Sequence, residues 1–371
     1  MPKRNAGMRF FSALALLALV VGVISIIRDY AVVSDVRKAR AMLKTRKAGH
    51  AVRAIVHMNV RSGKKQQTWV ERRLSYDVLV AVKRRNGPIE IIRLTENGNR
   101  TISRRFEVGR DRENGVNTPF SVRSPEGYEV LALRRVIREE DSFREVVYTP
   151  YSEALDNGVT RWRGRLFLEK TIRDAEDDLR LRGVRSRAYR DRSVADVVPT
   201  EIALTLAVIE HVDPGRFGRA MASPKPGLVK RLVDEVYVTV AMNGPDAYAY
   251  SVSDAGARGL FQFVRSTYDG VRREYPDAGL ESDFVRGMHD PKNAAKASLL
   301  LFDSDLSRLS ERRRERYRVH SEEMGEYLAV AYNWGSPRII DAMRQCGQKW
   351  EERLPEETRT YLRKYRVVGN P

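Results

Sequence analysis

The spacing of apolar and polar positions changes character three times along this chain. An uncharged run from Phe10 to Ile27, 18 residues rich in Leu, Ala and Val, follows Lys3, Arg4 and Arg9 and is closed by Arg28-Asp29. A helix of that length nearly spans a hydrocarbon core. No small-residue A-x-A cleavage pattern and no lipobox cysteine accompany it, so an uncleaved signal-anchor is expected rather than a cleaved signal. The basic residues ahead of the run orient the N-terminus to the cytoplasm, against the counterweight of Arg37, Lys38 and Arg40 on the far side. This predicts residues 1–34 as a cytoplasmic tail with a single transmembrane helix in the inner membrane, and the rest of the chain in the extracytoplasmic space.

Residues 37–58 read as a basic helix lying just beyond the membrane. The period then shortens: Leu74, Tyr76, Val78, Val80 and Val82 alternate, Asn86-Gly87-Pro88 interrupts, Ile89 to Leu94 is apolar-rich, and Asn97-Gly98 interrupts again before Thr101 to Val108. Alternation broken by such turn residues predicts a strand meander with hairpin turns. A second helical zone is expected at Leu131 to Arg138, followed by a charged zone from Phe167 to Arg187. Residues 35–195 are thus expected to form a basic α+β accessory domain.

From Val198 the period becomes helical. Pro199-Thr200-Glu201 is a helix start, with Thr200 placed to cap free amides and Glu201 near the positive end of the helix dipole. Ile202, Leu206 and Ile209 fall on one face, and Glu210 lies at the edge of that face. Further helices are predicted at Leu228 to Met242, Asp290 to Phe302, Glu323 to Asn333, Pro337 to Arg344 and Glu356 to Lys364, with Arg312-Arg313-Arg314 as a solvated face or loop. Residues 196–371 are therefore expected to be an all-α domain.

Charge sharpens this division. The chain of 371 residues carries a formal charge of +18; residues 35–200 hold 37 Lys and Arg against 23 Asp and Glu, whereas residues 201–371 hold 26 against 25. The excess in the first half suits an anionic neighbour such as lipid headgroups or cell-wall polymer. A nucleic-acid role is disfavoured because aromatic residues are not interleaved with the basic ones in a recognisable binding module. The single cysteine, Cys346, excludes an intramolecular disulfide and a Cys-based metal site. His50, His57, His211, His289 and His320 show no metal-ligand spacing, and no phosphate-binding loop is present. Neither a metal nor any other cofactor is expected.

The candidate chemistry rests on Glu210. A carboxyl at the end of an amphipathic helix, partly desolvated, has its pKa raised because burial disfavours the charged form. Cleavage of a glycosidic bond needs such a protonated group to protonate the leaving oxygen. No second acid stands in a comparable motif; Asp213 and Asp254 are candidates by proximity in sequence only. Downstream, Ser253 to Phe263 (Ser-Asp-Ala-Gly-Ala-Arg-Gly-Leu-Phe-Gln-Phe) reads as a Gly-rich loop that lines a cleft.

In chain order come Ile209-Glu210, then Ser253 to Phe263, then Ala331-Tyr332-Asn333-Trp334-Gly335, then Leu354-Pro355-Glu356-Glu357-Thr358-Arg359-Thr360-Tyr361-Leu362-Arg363-Lys364. In these motifs residues 198–365 resemble the catalytic domain of the soluble-lytic-transglycosylase family, lysozyme-like peptidoglycan-cleaving enzymes related to goose-type lysozyme. The resemblance implies that Glu210 is the catalytic acid and then base at the bond between N-acetylmuramic acid and N-acetylglucosamine. The muramyl 6-hydroxyl would attack in place of water to give a 1,6-anhydro product. It further implies that Gln262 lines the cleft near the reacting sugar, that Gly259 lets the backbone approach glycan, and that Ser253 belongs to the same binding stretch. Tyr332 and Asn333 would contact substrate or hold Glu210, and Tyr361 would help close the cleft. Two departures stand out: His211 occupies a position where the family has Ser, and Glu210 and Gln262 are 52 positions apart, which implies an insertion at about 214–250. The alternatives are a hydrolytic muramidase of the same fold and a catalytically inactive peptidoglycan-binding scaffold with envelope protein partners.

Overall fold

The structure, a computed structural model, describes residues 30–58, 68–110, 116–139 and 142–369. The expected membrane segment at Phe10 to Ile27 lies outside the described residues. Among those described, no helix is long and apolar enough to cross a membrane. The chain divides into two compact units, 1–160 and 161–371.

Among the described residues, the first unit is a sheet region with α1 (residues 30–44) ahead of it in the chain. Val33, Val36, Ala39 and Leu43 form its buried stripe, at the three-to-four spacing of one helix face. The strands follow as β1 (His50–Met58), β2 (Thr68–Tyr76), β3 (Val78–Arg84), β4 (Ile89–Thr95), β5 (Arg100–Thr101), β6 (Glu107–Arg110), β7 (Phe120–Ser124), β8 (Tyr128–Glu139) and β9 (Ser142–Tyr148). A five-stranded sheet runs in the order β5-β4-β3-β8-β9, with β1-β2 and β6-β7 as separate pairs; every pairing is antiparallel. The central strand β3 buries Val78 to Val82 without interruption, as expected of a strand covered on both faces. Helix α1 lies against this sheet: Asp35 pairs with Lys83 of β3, and the Arg134 guanidinium of β8 donates to the carbonyls of Leu43 and Lys44 at 2.8 and 2.9 Å. A cation on the last carbonyls is a favourable helix end.

Two expectations for this region are corrected. The helix predicted over 37–58 stops at 44, and 50–58 is a strand. Leu131 to Arg138 is not a helix but the middle of β8, hydrogen-bonded to β3 on one side and β9 on the other. Pairing with β3, roughly fifty residues earlier in the sequence, and with its hairpin partner β9 decides its conformation, and local periodicity does not see it.

The second unit is helical: α2 (Gly158–Leu181), α3 (Thr200–Ile209), α4 (Pro214–Ala222), α5 (Leu228–Asn243), α6 (Arg265–Glu274), α7 (Phe284–His289), α8 (Pro291–Ser307), α9 (Glu311–Val319), α10 (Ser321–Trp334), α11 (Ser336–Cys346) and α12 (Glu356–Gly369). Its centre is α3. Every residue from Ile202 to Ile209 is buried, so this helix has no solvent face where an amphipathic one was expected; α5, α8 and α12 pack around it. Thr200 does not cap α3: Pro199 stands at the cap position, Thr200 is the first helical residue, and its hydroxyl donates to Glu176 Oε1 at 2.8 Å.

The boundary between the units falls at 160/161, not at 195/196 as the sequence suggested. The charged zone beginning at Phe167 is mostly α2, whose Leu168, Ile172, Ala175 and Leu179 belong to the same hydrophobic core as α3. The loop after α2 is fixed to α8 by the fully buried carboxylate of Asp303, which accepts from the Ser186 hydroxyl, the Arg187 and Ala188 amides and the Tyr275 hydroxyl. A buried charge satisfied this completely holds both segments in one cooperative unit.

This assignment of α2 is testable by denaturant unfolding. Ile172→Ala, at a site 1% exposed, is expected to destabilise the helical unit by about 3 kcal/mol. Leu181→Ala, on the same helix but 88% exposed, should change it by less than about 0.5 kcal/mol.

Candidate active site

The site is built on the corner where α3 ends. Glu210 is the residue after the last helical turn, and its amide still reaches Leu206 O at 3.2 Å. The chain then tightens, with His211 N to Val208 O at 3.1 Å and Val212 N to Ile209 O at 3.3 Å, the i to i+3 bonding that often finishes a helix. Asp213 turns the corner: its Oδ1 accepts from Arg216 N at 2.6 Å and caps α4, with Pro214 in the first helical position. Asp213 thus serves as a cap rather than as a second acid. Asp254 sits exposed in the 253–257 turn.

Glu210 is partly reached by solvent yet enclosed by protein on most sides. Burial raises its pKa from 4.5 to about 7, opposed by the Tyr361 hydroxyl and by the positive charge of Lys364. The Tyr361 hydroxyl donates to Glu210 Oε1 at 2.6 Å. Lys364, one turn further along α12, donates to Val212 O and, at 3.3 Å, to Ile209 O. Tyr332 of α10 is electrostatically coupled to Glu210, and burial together with that neighbouring charge pushes its phenol and that of Tyr361 well above the usual value. Behind Tyr332, burial raises Asp305 of α8 to about 6, against a hydrogen bond from Ser336.

His211 goes the opposite way. Burial lowers its pKa to about 3, so the ring is neutral at physiological pH. Its Nε2 lies 2.9 Å from Leu260 O; a carbonyl only accepts, so Nε2 carries the proton. The Tyr248 ring stacks on it with centroids 3.6 Å apart and planes 9° from parallel. Tyr248 follows α5, inside the segment that the sequence marked as an insertion, and Leu232, Val236 and Val240 of α5 join the main core. The segment 214–250 is therefore part of the support for the Glu210 corner.

The Gly-rich stretch is a double turn. Ser253 N donates to Ala257 O at 2.9 Å, and Arg258 and Phe263 exchange two backbone bonds at 2.9 and 3.1 Å. Ser253 is exposed, and its hydroxyl accepts from Ala257 N at 3.1 Å. The second turn is held at consecutive carbonyls: Leu260 O by His211, and Phe261 O by the Tyr332 hydroxyl. Gln262 has a left-handed backbone, φ 47°, which is uncommon for a residue with a side chain and recurs at functional sites. Its Nε2 folds back to Gly259 O at 2.8 Å, and its Oε1 takes no partner among the described residues.

The structure brings Glu210, Tyr332 and Tyr361 into one coupled group and ties the 253–263 stretch to it through His211 and Tyr332. Asn333 does not hold Glu210; its Oδ1 accepts from Thr358 Oγ1 at 2.8 Å and joins α10 to α12. Gly259 is explained by packing within the protein. A Cβ there would lie 2.5 Å from the Met288 carbonyl, so the close approach that requires glycine is to the protein's own backbone. Sequence reasoning missed Lys364 as a site residue, since a lysine on a charged helix reads as solvated, whereas this one is 5% exposed.

Two outcomes follow from this geometry. Gly259 and Gly256 share φ +76°, but a Cβ at Gly256 meets nothing within 4 Å. Thermal and denaturant unfolding should therefore show Gly256→Ala costing about 1–2 kcal/mol, the left-handed penalty alone, and Gly259→Ala costing clearly more. The second concerns pH. The folded protein holds the Glu210 proton more tightly than the unfolded chain, so this group lowers stability as pH rises from about 4.5 through about 7. Relative to wild type, Glu210→Gln should be increasingly stabilised across that window, by up to about 3 kcal/mol above pH 7, and indistinguishable below pH 4. No protein-family model, curated protein or solved structure matches this chain, so the function has to be argued from the chemistry around Glu210.

Proposed function

We propose that the helical unit is a lytic transglycosylase that cleaves peptidoglycan, with Glu210 as its general acid and then its base. The observation that carries the reading is a single carboxyl, raised to about 7 by burial, held by a tyrosine hydroxyl at 2.6 Å and yet open in part to solvent. Such a group is about half protonated at neutral pH and is matched to donating a proton and taking it back.

The groups acting on Glu210 are Tyr361 and Lys364, and neither is a carboxylate. Asp305 acts on Tyr332 instead. Hydrolytic glycosidases generally place a second carboxylate across the scissile bond. A substrate that supplies its own nucleophile dispenses with it, which favours the non-hydrolytic course. Glu210 protonates the leaving 4-oxygen of N-acetylglucosamine as the bond to C1 of N-acetylmuramic acid breaks. The resulting carboxylate takes the proton of the muramyl 6-hydroxyl as that oxygen bonds to C1. The products are a free 4-hydroxyl and a 1,6-anhydro end, no water is consumed, and Glu210 is again protonated.

The resemblance of Ser253–Phe263, Ala331–Gly335 and Leu354–Lys364 to the soluble-lytic-transglycosylase pattern supports the same substrate. On this reading Gln262, through its unpartnered Oε1, faces the sugar. The apolar run at Phe10 to Ile27 and the basic composition of residues 35–200 suit a chain anchored in the inner membrane and working on the wall outside it.

Digestion of purified sacculi with mass analysis of the products tests the proposal. Wild type should release fragments with 1,6-anhydro ends, and Glu210→Gln should lower the rate by about a thousandfold or more while preserving the fold. Reducing ends in place of anhydro ends would make the enzyme a muramidase; sacculus binding without any cleavage would leave the scaffold reading. Because the acid form is required, kcat/KM should fall about tenfold per pH unit above about 7.

A further inference from the structure

We propose that Lys364 is a positioning residue for Glu210: its buried ammonium fixes the backbone on both sides of the carboxyl and sets a positive charge beside it. The functional consequence rests on the role assigned to Glu210 above; the coupling itself does not. Lys364 Nζ donates to the carbonyls of Ile209 and Val212, one residue before Glu210 and two after it. The side chain is 5% exposed, and a lysine is almost never buried this far without a partner. It also stands three residues beyond Tyr361 on α12, so one face of one helix presents both the hydroxyl that binds Oε1 and the ammonium that holds the corner.

A lysine that merely capped α3 would explain the bonds to the carbonyls. The electrostatics require more of it. Facing Glu210 are Tyr361 and Lys364 from α12, Tyr332 from α10 and, next in the chain, neutral His211. Asp213 at the start of α4 and Glu357 on α12 act on Lys364, and Asp305 of α8 acts on Tyr332. Lys364 supplies the positive charge that opposes the effect of burial on the carboxyl. Burial in turn lowers the pKa of Lys364, and Glu210 raises it back, so each group stabilises the charge on the other. The bond to Tyr361 and the charge of Lys364 together stabilise the carboxylate left when the proton has been given up. Burial alone would hold it protonated and unable to act as the base.

The test is a 13C titration of the Glu210 side-chain carboxyl in the full chain, comparing wild type, Lys364→Met and Leu362→Ala. The Lys364→Met midpoint should rise by about one unit, about tenfold in proton affinity. Leu362→Ala opens a cavity on the same helix, at a site 1% exposed, and should leave the midpoint in place. An unchanged midpoint in Lys364→Met, or an equal rise in Leu362→Ala, overturns the proposal. If Lys364→Met does not fold, the reciprocal measurement decides: the 15N midpoint of Lys364 Nζ should fall by a similar amount in Glu210→Gln, and an unchanged value overturns the coupling. None of these readouts needs turnover. A chain that shows the shifts but releases no anhydro product would retain the Lys364 coupling and lose the transglycosylase reading. In the active enzyme the alkaline limb of kcat/KM should move to higher pH in Lys364→Met by the same increment as the carboxyl midpoint.

Discussion

Burying a helix completely creates a requirement at its far end, and in this protein meeting that requirement shapes the surroundings of Glu210. Helix α3 has no solvent face from Ile202 to Ile209, so its last carbonyls cannot all turn to water, and an unpaired buried carbonyl is costly. Lys364 answers one of them, Ile209 O, from α12, together with the Val212 carbonyl in the corner just beyond the helix. The same ammonium then sits close enough to Glu210 to offset part of what burial does to the carboxyl. Helix capping and tuning of a titratable group are here one arrangement. Any change that loosens α12 from α3 alters both.

The corner also separates two neighbouring residues chemically. Burial raises Glu210 to about 7 and lowers His211 to about 3. These are opposite shifts with one cause, because in each case the charged form is the one disfavoured. Between those values a neutral acid adjoins a neutral imidazole, and no ion pair forms between them. The imidazole is then free to donate its one proton to Leu260 O, which helps fix the double turn carrying Gln262. Tyr248, stacked on the ring, supplies much of the enclosure. The segment that the sequence marked as an insertion is therefore part of what keeps His211 neutral.

Helix α2 read only as a charged zone and α4, α6, α7 and α9 were not anticipated, whereas α3, α5, α8, α10, α11 and α12 were legible because apolar periods and turn residues are local signals. Glu210 stood out for the same reason, as a carboxyl at the edge of an apolar run. Features decided by distant partners were not legible. Leu131 to Arg138 carries enough apolar residues for a helix, and only β3 and β9 on either side make it a strand. Gly259 reads as a loop glycine, and its actual constraint, the Met288 carbonyl, lies on another element. Asp213 lay near Glu210 in sequence, but its side chain was needed at the start of α4. Lys364 was quoted within a motif and passed over, because nothing local marks a lysine as buried. The expected membrane segment at Phe10 to Ile27 falls outside the described residues.

These cases share a cause that bears on how the site works. Tyr361 and Lys364 are separated from the α3 corner by more than 150 positions, so the environment of Glu210 exists only when the whole helical unit is assembled. In a denatured chain the carboxyl would titrate near 4.5 and be ionised at neutral pH. A carboxyl still half protonated at neutral pH is therefore a property of the folded unit and not of the residue. Undocking α12 from α3 should shift the proton affinity of Glu210 even where most of the helical structure persists, because the burial that raises it and the hydroxyl and ammonium that lower it all depend on that one contact.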